Sequence, residues 1–284
     1  MFGKTISLST STLSMLVKRH LMLFVVSTTL TIAPSAMATI VQFQTVMGDF
    51  QVNLYDKATP KTVENFLNYV KAGAYTNSVI HRAIPGFVVQ GGGFKYDNKL
   101  PLVTVAQNAA VVNEPVYANK RGTIAMAKLG NNTNSATNQW FFNVADNSSK
   151  LDPQNGGFTV FGEVMGNGMA IVDAMTALNI FNLGENTAFT DFPLRNYTRT
   201  DATNNVNVTD KNLVMILNVV ILDANVDTAA NSNPAKSTYT PGSGGSSNNG
   251  GNNNGSSSGG GGGALDLAGL LLLTGLGLFG LRRK

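Results

Sequence analysis

A mostly β protein, an eight-stranded antiparallel barrel closed on itself and capped by two α-helices, is the architecture this sequence predicts. Three observations point there. Eight short segments have the alternation or apolar content of strands, two stretches repeat apolar residues at helical spacing, and the final apolar run can close against the first.

Segments 40–46 and 50–55 alternate in polarity and flank Gly48-Asp49, the signature of a hairpin. Thr59-Pro60 opens a helix, with Thr as cap and Pro in the first turn. Val63, Phe66, Leu67 and Val70 then recur at i, i+3, i+4 and i+7, giving one buried stripe that Gly73 ends. Further strands are predicted at 79–82, 87–90, 122–127, 140–144 and 158–161. The second helix carries Ile171, Val172, Met175 and Leu178 on one face. The last strand is 213–222. Between them, 179–212 is rich in Asn, Thr and Asp and reads as an inserted loop with no assignable chemistry.

The ends of the chain carry a different message. Residues 1–38 have the build of a signal peptide: Lys18-Arg19-His20 before an apolar run, then Ala36-Met37-Ala38 as a cleavage pattern for signal peptidase. Residues 39–224 form the globular domain. Residues 225–263 are dominated by Ser, Gly and Asn and read as a disordered linker, spanning roughly 30–37 Å root-mean-square as a flexible coil. Residues 264–284 are an apolar run ending in Arg282-Arg283-Lys284, long enough to span a bilayer with its basic end in the cytoplasm. This tail resembles the GlyGly C-terminal sorting signals of Gram-negative bacteria. That resemblance implies a rhomboid-like sorting protease as partner, membrane attachment before processing, and a final place in the periplasm, at the cell surface or outside the cell; the alternative is a plain transmembrane anchor that stays in the inner membrane.

The formal charge of +4 belongs to these ends. The leader holds Lys4, Lys18 and Arg19, and the tail a net two positive charges, so residues 39–263 carry about one negative charge. No nucleic-acid partner is expected.

Composition also narrows the chemistry. With no cysteine there is no thiol nucleophile, thiolate metal site or disulfide. Once the leader with His20 is removed, His81 is the only histidine, too few for a multi-histidine zinc site. No metal and no cofactor are expected. The most informative stretch is HRAIPGFVVQGGGF at 81–94, which sets Arg82 beside Phe87 and Gln90, a fixed cationic donor next to an apolar pocket. Gly91-Gly92-Gly93 lacks the Lys-Ser/Thr of a phosphate loop and suits a bulge or a close backbone approach. Trp140 and Phe142 alternate with Phe141 and are assigned to core packing, and His81 and Glu114 to the scaffold.

Taken together, HRAIPGFVVQGGGF, NEP at 113–115, RGTIAMAK at 121–128, NQWFFNVADN at 138–147 and FTVFGEV at 158–164 closely resemble the cyclophilins, the peptidyl-prolyl cis/trans isomerases, and within them the bacterial periplasmic branch. The resemblance implies that Arg82 is the catalytic arginine and that Gln90 helps hold it and the substrate. It places Phe87, Val88, Met126, Phe141, Leu151 and Phe158 in the proline pocket. It makes Gln139 a second substrate-contacting glutamine, and uses the backbone of Ala127 and Lys128 to bind the residue before proline. Lys150 stands where many eukaryotic members carry tryptophan. The implied partners are proline-containing polypeptides, handled by a monomer assisting the folding of exported proteins.

Overall fold

The structure, a computed structural model, describes residues 38–184, 187–226 and 233–239, with Gly3. The expected leader, most of the linker and the hydrophobic tail lie outside the described residues.

Strand β1 (Ala38–Thr45) turns into β2 (Phe50–Leu54) as predicted, with Val41 opposite Val52 and Phe43 opposite Phe50. Gly48 makes the turn at φ +120°, a backbone conformation that side chains with a Cβ rarely adopt. Helix α1 (Pro60–Lys71) follows, with Pro60 in its first turn. Its cap differs from expectation. Thr59 makes no side-chain cap; its hydroxyl points back and donates to the Tyr55 carbonyl. The first-turn amides of Lys61 and Thr62 donate instead to the carboxylate of Glu114, at 3.3 and 2.9 Å. An anion from a distant loop thus meets the positive end of the helix.

Strands β3 (Ser78–Val79), β4 (Arg82–Ile84), β5 (Val88–Gly91), β6 (Phe94–Lys95), β7 (Val103–Thr104), β8 (Thr123–Met126) and β9 (Trp140–Asn143) come next. After them lie the short helix α2 (Ser148–Leu151), β10 (Val160–Val164) and helix α3 (Met169–Thr176). The chain continues with β11 (Asn179–Phe181), β12 (Phe192–Leu194), helix α4 (Arg199–Thr203) and β13 (Met215–Val226). Eleven strands, rather than eight, form one curled antiparallel sheet in the order β4-β5-β9-β8-β10-β2-β1-β13-β3-β6-β7. The segment expected as one strand at 79–82 divides into β3 and β4 because it changes partner. The Ile80 amide donates to Val214, and the next amide, His81, donates to Gln90. The predicted pairing of the last strand with the first is present as the β1–β13 ladder.

The main core joins the inner face of this sheet to Val63, Phe66, Tyr69 and Val70 of α1 and Val172 and Met175 of α3. Phe43, Phe50, Phe66, Trp140 and Phe142 form a cluster of aromatic contacts at its centre.

Two expectations need correction. The 179–212 insertion is not a plain loop: β11 and β12 pair, and α4 begins with a reciprocal cap between Thr198 and Asp201. It also has its own apolar cluster, in which Phe181, Phe192, Leu194 and Tyr197 pack with Val79, Phe94 and Leu213. The C-terminal boundary at 224 also moves. Strand β13 runs to Val226, and residues 233–239 return to the domain, where Ala118 N–H donates to Ala235 (2.8 Å) and Ser237 N–H to Val116 (3.0 Å). This part of the expected linker is structured.

Candidate active site

Cross-strand register assembles the site. Arg82 of β4 lies opposite Gln90 of β5, Gln90 opposite Phe141 of β9, and Phe141 opposite Ala125 of β8. Directly opposed residues share a face of a sheet, so these four form one row. Two positions along, Ile84, Val88 and Asn143 form the next row on the same face. The intervening row, Ala83, Val89, Phe142 and Ile124, faces the main core. The pleat thus sorts catalytic candidates from packing residues.

Above the Arg82 row sits a separate apolar cluster. Val88, Ala127, Phe141, Leu151 and Phe158 are buried together with Tyr55, Ala125 and Val160, and Phe87 is packed against them. The rings of Phe141 and Phe158 meet edge to face at 5.9 Å. Helix α2 brings Leu151 to this cluster. A buried polar network holds that helix: Asn119 donates to Asp152, Asn143 to Asn119, and Asn147 to both Asn143 and the Phe87 carbonyl. It secures two parts of this cluster at once, through α2 and through the backbone of Phe87.

Arg82 has a side chain only 11% exposed, with Nε 3.3 Å from a carboxylate oxygen of Asp191. Burial draws its pKa down and the hydrogen bond to Asp191 partly offsets this; an arginine so placed keeps its charge. Its Nη1 is buried and has no hydrogen-bond partner among the described residues. An unpaired cationic N–H in a closed site is costly unless something else meets it. Gln90 does not hold Arg82 by a side-chain hydrogen bond; its Nε2 donates to Gln139 Oε1 at 2.9 Å. The two expected glutamines are therefore joined to each other.

The model of the family "Cyclophilin type peptidyl-prolyl cis-trans isomerase/CLD" matches residues 40–198, more than half of the chain. This chain is a member of the cyclophilin-type peptidyl-prolyl isomerases. It is 41% identical over 138 residues to a peptidyl-prolyl cis-trans isomerase of Acinetobacter baylyi, covering 48% of this chain and 70% of that one. It is 41% identical over 150 residues to peptidyl-prolyl cis-trans isomerase A of Dickeya dadantii, covering 52% and 76%. It is 40% identical over 142 residues to peptidyl-prolyl cis-trans isomerase B of Escherichia coli, covering 47% and 81%. Its activity is cis-trans isomerisation of X–Pro peptide bonds, on a mostly β cyclophilin fold.

Within this cyclophilin site, five of the six residues expected to line the proline pocket come together: Phe87, Val88, Phe141, Leu151 and Phe158. Met126 does not. It lies opposite Trp140 and is buried in the main core. The reason is parity: Ala125 takes the pocket face of β8, so Met126 must take the other. Ala127 joins the same apolar cluster, and its amide donates to the Gln139 carbonyl at 3.0 Å.

Lys128, expected to act through its backbone alone, folds its side chain inward and is 3% exposed. Nζ donates to the carbonyls of Asn155 (2.7 Å) and Gly157 (2.6 Å) and sits 4.9 Å from the centre of the Phe158 ring. Burial pushes its pKa down to about 7. Lys150 places Nζ 5.9 Å from the Phe87 ring centre, so a cation stands over that wall.

His81 is 1% exposed; burial first, and then the charge of Arg82, push its pKa down to about 3. A neutral imidazole packed edge-on against Phe94 is scaffold, as expected. The glycine run is also backbone geometry: a Cβ on Gly92 would stand 2.5 Å from the Asn138 carbonyl, at φ +85°.

Proposed function

We propose that Arg82 is the group that accelerates isomerisation and that the Phe87, Val88, Phe141, Leu151 and Phe158 cluster receives the proline ring. The supporting observation is the buried, unpartnered Nη1 of Arg82 in the same cross-strand row as Phe141. Rotation about an X–Pro bond meets a barrier of about 18–20 kcal/mol because it breaks amide resonance. No bond is made or cleaved, so neither nucleophile nor proton transfer is required. In the twisted state the amide nitrogen recovers its lone pair, and an N–H aimed at it binds that state better than either planar one. Preferential binding of the transition state lowers the barrier. An apolar socket gripping the pyrrolidine ring fixes one side of the bond while the other turns.

The same reading includes the finer architecture expected from sequence, a closed eight-stranded barrel capped by two helices; the pairing of β3 with β13 and of β4 with β5 supports it. It also places the enzyme outside the cytoplasm, delivered by the 1–38 leader and the GlyGly-type tail, as a monomer acting on proline-containing exported polypeptides. The composition of the two chain ends supports that placement.

The catalytic reading is tested by isomerisation of an Ala-Pro peptide with the native chain and with Arg82→Ala. The variant should lose most of the catalysed rate; equal rates would overturn the assignment. The targeting reading is tested by the intact mass of the protein isolated from its native envelope. A product ending near Gly262 or Gly263 is expected, and a mass that retains Arg282–Lys284 contradicts tail processing.

A further inference from the structure

We propose that Asp191, carried by the 179–212 insertion, is the positioning residue for Arg82, so that the insertion is part of the isomerase site. The proposal rests on the catalytic reading of Arg82.

Asp191 holds the arginine's strand at two points. Its carbonyl accepts from the Ala83 amide at 3.0 Å, and its carboxylate takes the Nε–H of Arg82 at 3.3 Å. Strand β4 ends the sheet order, so the backbone contact supplies a partner on the side that no strand of the sheet occupies. The side-chain contact sets the plane of the guanidinium. A guanidinium is rigid and flat, so fixing Nε fixes the direction of both Nη groups. Binding through Nε alone leaves Nη1 unpaired, which is the atom a twisted amide would need.

Asp191 is itself held by packing. Phe189 and Phe192, on either side of it in sequence, have ring centres 5.6 Å apart. Phe189 lies 4.7 Å from Phe94, and Phe94 lies 5.1 Å from His81, the residue before Arg82. A chain of rings thus connects the insertion to His81, immediately before the arginine strand, while the carboxylate reaches the guanidinium directly. Asp191 is 29% exposed at its side chain. Were it an ordinary surface ion pair it would do little for stability and nothing for catalysis. A positioning residue should instead affect the chemical step.

The test uses the full chain with Asp191→Ala, Arg82→Ala and the double variant, with kcat and KM for an Ala-Pro peptide measured separately by NMR exchange. Asp191→Ala should lower kcat by roughly tenfold, the scale of a misoriented catalytic group, with KM changed less than about twofold. In the Arg82→Ala background the second substitution should cause no further loss, because Asp191 acts through the arginine. Asp191→Glu should recover part of the rate. If Asp191→Ala leaves kcat unchanged while Arg82→Ala abolishes catalysis, the positioning role is overturned and the site stands. If Arg82→Ala keeps the full rate, the catalytic reading fails first. Circular dichroism melting of each variant separates these results from misfolding; a tenfold loss that appears only in an unfolded variant counts against the proposal.

Discussion

Lys128 puts its amino group against the face of Phe158, in the apolar cluster proposed to receive the proline ring. Burial sets its folded pKa at about 7, below the 10.5 of a free lysine. Between those values the unfolded chain binds more protons than the folded one, so stability rises with pH there. The native chain should therefore gain on Lys128→Met as pH is raised from about 7 toward 10, measured by urea unfolding. A constant difference across that window contradicts the account. A neutral amine still has two N–H donors for the Asn155 and Gly157 carbonyls, so the wall at Phe158 should survive the titration. Neighbouring positions on β9 have opposite duties. Phe142→Ala removes a ring from the main core and should cost about 3–5 kcal/mol. Phe141→Leu, a milder change on the pocket face, should cost less than about 1.5 kcal/mol in stability while raising KM for the peptide. Equal stability losses would contradict the assignment of faces. The aromatic alternation at 140–142 was enough to predict this division from sequence. The same parity applied to β8 would have excluded Met126, whose family likeness and apolar character pointed the other way.

At the scale of elements, local periodicity identified the long pieces. The stripe of α1 and the hairpin at Gly48 are encoded within a dozen residues and appear where expected. What escaped sequence reading depends on partners far apart in the chain. Thr59 looks like an N-cap, yet the amides of α1 are met by Glu114, more than fifty residues away. Glu114→Ala should therefore destabilise the domain by about 1 kcal/mol and leave kcat intact. A selective loss of kcat would show that Glu114 belongs to the site. The order within the insertion is hidden from the sequence for a similar reason. Its aromatic residues are scattered among Asn and Thr without a period, and become a cluster only when Phe94 and Val79 are brought to them by the sheet. Asp191 could not be paired with Arg82 from a sequence in which they stand 109 positions apart.

For the whole molecule, residues that stand far apart between Arg82 and Asp191 are brought together on one curled sheet and the segments packed on it. Residues 233–239 bind back along Val116 and Ala118, and Thr238 N–H reaches Asp152 at 3.4 Å, the carboxylate that anchors Asn119 beneath the pocket. Residues 233–239 thus lie against the domain beside α2. Hydrogen exchange should find the Ala118 and Ser237 amides protected in the full chain, and Ala118 exposed when the chain is cut after Val226; fast exchange of both in the full chain contradicts this docking. Composition alone could not show it, because NPAKSTY has no apolar run to distinguish it from the Gly/Ser/Asn-rich residues that follow.

The central claim is that a fixed guanidinium, not a proton donor or a nucleophile, lowers the rotation barrier. Arg82→Lys keeps the positive charge and loses the rigid fork. The most direct test is NMR exchange on a bound Ala-Pro peptide, which reads the on-enzyme cis-trans rate apart from affinity. The account predicts that this rate falls at least roughly tenfold in Arg82→Lys while the dissociation constant stays within about twofold. An unchanged on-enzyme rate would contradict it.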